Sequence, residues 1–384
     1  MKTSGLNALT IVLMLCFQLS TYAQPAIEMS GYITEMPSYR WQKTADKGVW
    51  DNLIHNRINL KYNPKSNLNF TIALRNRFFL GETVRNNPLY KYYMDNDQGW
   101  VDMSFNWGTG KAYVVNTIAD RLFVEHIWGN IKIKAGRQRV VWGQSRVWNA
   151  NDLFNPYSFY DFDYPERPGM DGLSLKYLNT GNAKLEAVLK VDGNKELTSA
   201  LLYGFSKSNY YFQFIAGQLN QSYFVMGSGW KINFKHSDFY GEFSYLSSFD
   251  QPKPNIYMLS TGSAYTINHS IKLSGEYLYA SNLNSSFSGF DDLSFSRTSV
   301  QKLSISKHSY NLALSLPINP QFHFTFDYTG FAYPVFKNYY ISPTIEYALK
   351  ESLHLSGILQ LFSNGNTQPN QMIVSTFIRL KKVF

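Results

Sequence analysis

Residues 321–333 read QFHFTFDYTGFAY, and their alternation decides the fold. Phe322, Phe324, Phe326 and Tyr328 fall on one face of an extended strand, and His323, Thr325, Asp327 and Thr329 on the other. A water-soluble sandwich also alternates, but it seldom lines one face of one strand with four consecutive large rings. A strand with one face in lipid and one in a polar lumen does.

The rest of the chain repeats this pattern. Ile54, Ile58, Leu60 and Tyr62 share one face while His55, Arg57 and Lys61 share the other. After the turn 63–67, Leu68, Phe70, Ile72, Leu74 and Phe78 oppose Arg75 and Arg77. Alternating segments are expected at 27–40, 53–63, 68–80, 120–128, 131–140, 170–178, 183–192, 197–206, 209–218, 222–235, 238–248, 256–267, 270–280, 298–316, 321–333, 338–350, 351–362 and 371–384. Short polar turns alternate with longer connections, among them 81–119, 141–169 and 281–297. The fold class implied is all-β: a transmembrane antiparallel β-barrel of 18 strands, with 16 as the alternative count, and both termini on the periplasmic side. The apolar phase flips near Lys307 to Ser309, which reads as a bulge or an extra turn. Residues 98–107 read as a further strand or as part of a long hairpin.

Composition agrees with this. Aromatic residues make up 17% of the chain, well above what a polar lumen needs, and the surplus suits interfacial girdles. After the first two dozen residues there is no apolar run of about 18, so the sequence offers no membrane-spanning helix. Residues 1–23 carry a basic start at Lys2, a short apolar stretch and the small-x-small site Thr21-Tyr22-Ala23, the pattern of a cleaved signal peptide. Leu15 before Cys16 does not suit lipid attachment. Cleavage would remove the single cysteine and leave 24–384 as one outer-membrane barrel domain. The net charge of +9 favours anionic solutes or an acidic surface as partners, and an exported chain rarely meets nucleic acid.

The last strand, QMIVSTFIRLKKVF, places Met372, Val374, Ile378 and Leu380 on the face of Phe384. A terminal Phe on such a strand resembles the signal read by the barrel assembly machinery. Lys382 breaks the apolar face near the periplasmic interface, where a long side chain can snorkel. Outer-membrane lipids, the assembly machinery and small solutes are the expected partners, and a homo-oligomer is compatible with the sequence.

By strand parity the lumen holds the cations Arg57, Lys61, Arg75, Arg77, Lys132, Lys134, Lys176, Lys184, Lys190, Lys231, Lys235 and Lys272 against Glu186, Glu242, Glu276, Asp327 and Glu346. Such an excess either favours anions or simply solvates the wall. The segment 136–172, GRQRVVWGQSRVWNANDLFNPYSFYDFDYPERPGMDG, has neither strand nor helix periodicity yet is dense in rings and charge. That composition argues for an ordered loop, and by parity it lies at the extracellular end, folded inward as a constriction. Continuing the alternation from Ile131 and Ile133 turns Arg137 and Arg139 toward lipid, so a bulge near Gly136, or exit of the strand from the bilayer, is expected.

GRQRVVWG followed by WNxxDLFNPYSFxDFDYxERPGxDxL resembles porin-like outer-membrane barrels of the Bacteroidota type, akin to alginate-export-like porins. The resemblance implies solute passage, with Arg137, Arg139, Asp152, Asn155, Asp161, Asp163, Glu166, Arg167 and Asp171 at the matching positions. Arg146 joins them as a candidate pore residue by its place in the loop. The function implied is passive diffusion of small polar solutes, anions included. The alternatives are a non-transporting barrel acting as an adhesin or assembly partner, and a substrate-specific polysaccharide export barrel. His55, His323 and His354 lie on separate strands without a nucleophile, so no enzyme is expected. Asp161-Phe162-Asp163 lacks the calcium-loop pattern, and no metal or cofactor is expected.

Overall fold

The structure is a computed structural model that describes residues 27–43, 47–157, 161–178, 183–250, 253–268, 270–282, 299–332, 338–365 and 371–384. The expected signal peptide and most of the 281–297 loop lie outside the described residues. The strands, in chain order, are β1 (Ile27–Gln42), β2 (Val49–Lys65), β3 (Leu68–Gly81), β4 (Ser104–Thr109), β5 (Tyr113–Trp128), β6 (Ile131–Gln138), β7 (Met170–Leu178), β8 (Ala183–Val191), β9 (Leu197–Lys207) and β10 (Tyr210–Leu219). They continue as β11 (Tyr223–Phe234), β12 (Ser237–Ser248), β13 (Ile256–Ile267), β14 (Ile271–Ala280), β15 (His308–Pro317), β16 (Phe322–Phe331), β17 (Asn338–Lys350), β18 (Leu353–Asn364) and β19 (Gln371–Val383). Two one-turn helices, α1 (Glu82–Asn86) and α2 (Tyr90–Met94), lie between β3 and β4.

Each wall strand pairs antiparallel with its neighbours, and β1 pairs with β19 to close the ring. Because β3 also pairs directly with β5, β4 is an accessory and the closed wall has 18 strands. Hydrogen bonds in both directions between Gly31 and Phe384 complete the seam at the rim of short turns. A side chain at Gly31 would run into the Arg57 carbonyl 2.1 Å away and the Phe384 ring at 2.9 Å. Lys382 stays on the outer face and donates to Ser352 Oγ at 2.7 Å, at that same rim.

The outward faces carry the expected apolar band. Tyr62, Phe70, Trp128, Tyr177, Tyr210, Phe234, Tyr265 and Phe322 form an exposed lower girdle beside the short turns, and Trp41, Trp50, Trp100, Trp107 and Tyr113 an upper one.

Two local expectations change and one open alternative is decided. The segment expected as one strand at 298–316 is a strand only from His308. Residues 299–307 turn inward through a single 3-10 turn, burying Val300, Ser304 and Ser306. The phase flip marked that turn. Residues 104–109 of the ambiguous 98–107 region form β4, paired with β5. Third, β6 and β7 keep register through Gly136↔Gly172 and Arg137↔Asp171, with no bulge, although Gly136 takes φ +113°. Arg137 keeps its outward parity and is covered instead. β6 and β7 are short, and the wall above them is made by residues 97–109: β4 lies along the upper part of β5, and Gly99 bridges to Asp192 beside β8.

Candidate functional site: the inward loop and the extracellular cavity

After Gln138 the chain leaves the wall and does not rejoin it until Met170. Its first arc, 139–156, lies against β7–β14. Val140, Trp142, Ala150, Leu153 and Phe154 pack with inward-facing Val188, Leu202, Ile215, Val225, Leu246 and Met258 in one buried cluster. Trp142 meets Phe154 edge to face at 4.9 Å. Part of the lumen wall is thus apolar because it is the floor of a packed core, contrary to the expectation of a polar lumen throughout.

Two wall carboxylates hold the backbone of this arc. Glu242 accepts from the N–H groups of Gln144, of Ser145 at 2.7 Å and of Asn151 at 2.7 Å. Glu276 accepts from Arg146 at 2.9 Å, Val147 at 3.1 Å and Trp148 at 2.7 Å. An irregular segment in a dry setting must find partners for its N–H groups, and six are met here by charged acceptors. Asn155 ties the two ends of the loop, accepting from the Val140 N–H and donating to the Pro168 carbonyl, both at 2.8 Å. Burial pushes the Asp152 carboxyl up to about 7, against the pull of Arg167 and Arg139.

The second arc, 161–169, crosses to β1–β5 and β19. Phe162 packs on Phe377 at 5.0 Å. Asp163 lies 3.0 Å from His55 Nδ1 and 3.8 Å from Arg75. The Arg75 guanidinium sits 3.9 Å over the Tyr164 ring, whose hydroxyl donates to Asp120. Asp120 also pairs with Arg57. Glu166 accepts from the Tyr32 hydroxyl at 3.1 Å, and its carbonyl takes Arg121 at 2.7 Å and Arg139 at 3.1 Å. Arg167 has φ +58° and lies over the Tyr157 ring. Gly169 is obligatory at the return to the wall, since a Cβ there would meet the Asp120 carbonyl at 2.4 Å.

The expected site residues therefore divide. Arg139, Asp152, Asn155, Asp161, Asp163, Glu166 and Arg167 gather within the loop. Arg137 and Asp171 pair at 2.6 Å in the wall; Arg137 also binds Asp97 and the Val101 carbonyl, while Asp171 accepts from the Val101 N–H at 3.0 Å. Their place is the wall patch, because side chains there stand in for missing strand partners. Arg146 points toward the short-turn rim, 3.3 Å from Asp238. Among the lumen cations, Lys61 pairs with Glu28, and Lys132 and Lys134 with Glu125. Arg77 instead donates to Asn116 at 2.6 Å and the Met94 carbonyl at 3.1 Å. Asp97, Asp120, Tyr32 and Arg121 were not singled out by sequence reasoning. Glu242 and Glu276 read there only as polar wall, although inward Leu246, Met258 and Leu278 nearby signal a dry surface.

Above the loop lies a cavity of about 790 Å³, bounded by Arg75, Arg77, Asp161, Lys190, Phe377 and Tyr93 of α2. Asp161 is exposed to it. Burial by the surroundings nonetheless raises its carboxyl above the usual range, and Arg75 opposes this.

No family model matches the sequence, and no curated protein matches it. Solved structures do. Pseudomonas aeruginosa OccK11 (OpdR) superposes with a TM-score of 0.59 at 10% identity, covering 93% of this chain and 96% of that chain. P. aeruginosa OpdQ gives 0.59 at 8%, over 93% and 97%. Acinetobacter baumannii OccAB4 gives 0.54 at 11%, over 94% and 100%. At these identities the likeness is one of fold. The chain shares with them the fold of a closed antiparallel barrel of 18 strands.

Proposed function

We propose that the protein is an outer-membrane channel for passive diffusion of small polar solutes, with a preference for anions and with loop 141–169 as its constriction. The observation that carries this is the loop itself. It crosses the lumen, is held to the wall on both sides, and leaves an extracellular cavity lined by Arg75, Arg77 and Lys190. The kinship with Bacteroidota-type barrels, cleavage of residues 1–23 and recognition of Phe384 by the assembly machinery belong to the same proposal. Catalysis has no part in it.

Conductance in a planar bilayer tests the reading. Discrete channels are expected, with a reversal potential in a KCl gradient on the chloride side. Arg77→Gln should move it toward zero, because among the described residues this guanidinium donates only to neutral partners. Well-folded protein without conductance would refute the channel.

A further inference from the structure

The outer face is not uniform. On β2, Asn56 points outward midway between two girdle rings, six residues from Trp50 and six from Tyr62, which are 62% and 45% exposed. At about 2.5 Å of depth per residue in a tilted strand, Asn56 lies near the middle of the bilayer. Asn76 of β3 sits opposite it in register and donates to its Oδ1 at 2.6 Å. Thr117 of β5 donates to Asn76 at 2.6 Å, and Trp107 Nε1 to Thr117 at 3.0 Å. Glu35 of β1, exposed and opposite Ile54, accepts from Asn52 Nδ2 at 3.4 Å. A polar row thus runs across β1, β2, β3 and β5 where lipid tails would lie.

Between the girdles, no other panel among the described residues presents a hydrogen-bonded row of outward amides or an uncovered carboxylate; Gln218 of β10 is a lone outward amide. β8–β12 present Leu185, Leu189, Leu201, Tyr203, Phe214, Met226 and Phe243 at such positions. Arg137 and Asp171 share outward parity but are sheathed by residues 97–101. The internal bonds of the row are also incomplete. The Asn56 NH2 has no acceptor among the described residues, and the Glu35 carboxylate has one long bond.

We propose that this panel is the interface between two copies of the chain, related by a two-fold axis. The row carries both unmet donors and an unmet acceptor, so it is complementary to itself turned about such an axis, as an isologous contact requires. Apolar Ile33, Ile54, Ile58 and Leu74 surround the row and complete a surface that packs without water. One panel gives a closed dimer; a three-fold ring would need two different panels. In hydrocarbon a polar side chain finds partners only on another protein surface, and interhelical contacts in membranes use amides in the same way.

The test uses the full chain in outer membranes. Ile58→Cys, beside Asn56, and Phe243→Cys, on the opposite strand β12, are treated with a short bis-maleimide, with the unsubstituted chain as control for Cys16. Ile58→Cys should give a band of twice the mass, and Phe243→Cys should not. In mild detergent the wild type should have the mass of two barrels. The variant E35L/N56L/N76L should have the mass of one while keeping heat-modifiable migration and unit conductance. Four results overturn the proposal: no more dimer from Ile58→Cys than from Phe243→Cys, a product containing a different protein, a mass of three barrels, or a folded triple variant that still pairs. If the triple variant does not fold, the cross-linking decides.

Discussion

Replacing Glu242 by Gln keeps the volume of the side chain and removes one of its two acceptor oxygens. One carboxylate oxygen serves the N–H groups of Gln144 and Ser145, and the other serves Asn151. With the amide oxygen toward the first pair, the new NH2 faces the Asn151 N–H, and two buried donors are left unmet. At about 1–3 kcal/mol for each unmet group, the substitution costs the docked arc about 2–6 kcal/mol. The wall should not notice, because the ladders of β12 with β11 and β13 are main-chain bonds. The expected outcome is a heat-modifiable, folded barrel whose single-channel record flickers between the wild-type level and higher substates, with new protease sites within 143–152. Glu276→Gln should act alike, and the double variant should depart from additivity because both carboxylates hold one short arc. Quiet channels of wild-type conductance from the double variant would refute the clamp.

Asp152 gives a pH dependence. Its folded carboxyl is raised to about 7 from an unfolded value of 3.8, so docking of the arc is strongest below pH 4 and weakens as pH rises, levelling off above 7. The shift corresponds to about 4 kcal/mol as an upper bound at 1.36 kcal/mol per unit. Flicker should therefore increase from pH 5 to pH 8 in the wild type and increase less steeply in Asp152→Asn, which single-channel recording at the two values checks. Arg137→Met leaves Asp97 and Asp171 as buried carboxylates without their cation, a loss of about 3–5 kcal/mol borne by the wall patch. Trp100 emission should shift, and an iodide quencher should reach it faster, whereas Arg146→Met should change neither.

The wall was legible because one period governs it. Every one of the expected strand segments overlaps an observed strand, and Phe322, Ile58 and Ile378 face outward as the alternation requires. The lumen was less legible because alternation reports which face a residue is on and not what meets it there. Leu246 and Glu242 share the inward face of β12, and only the arriving loop makes the first a core residue and the second an acceptor for three N–H groups. The same limit applied to charge. A count of inward cations could not see that Asp120, at the edge of an expected strand, lies at a β5 bulge and neutralises Arg57. For 139–169 its rings and charges gave order and an inward posture, while its contacts depended on strands as far as 215 positions away, as with Phe162 on Phe377.

The two long connections are parts of one solution. A loop that leaves the wall at Gln138 to cross the lumen takes away the upper halves of two strands, so β5 and β8 would each expose an unpaired edge at the depth of the upper girdle. An open edge in lipid is not tolerated. Residues 97–109 supply the missing backbone: β4 pairs with β5, Gly99 bridges to Asp192, and Trp100 and Trp107 continue the girdle outside. The joint between this patch and the shortened hairpin has no room for a strand ladder, and Arg137 and Asp171 bond to the Val101 backbone in its place. That is why two charged residues stand at outward parity in a wall that is otherwise apolar there. It is also why Gly99 must lack a side chain, since a Cβ would fall 1.8 Å from the Arg137 guanidinium. The inward loop and the 81–119 connection are therefore coupled through one ion-pair cluster, and a change in the length of either requires a matching change in the other.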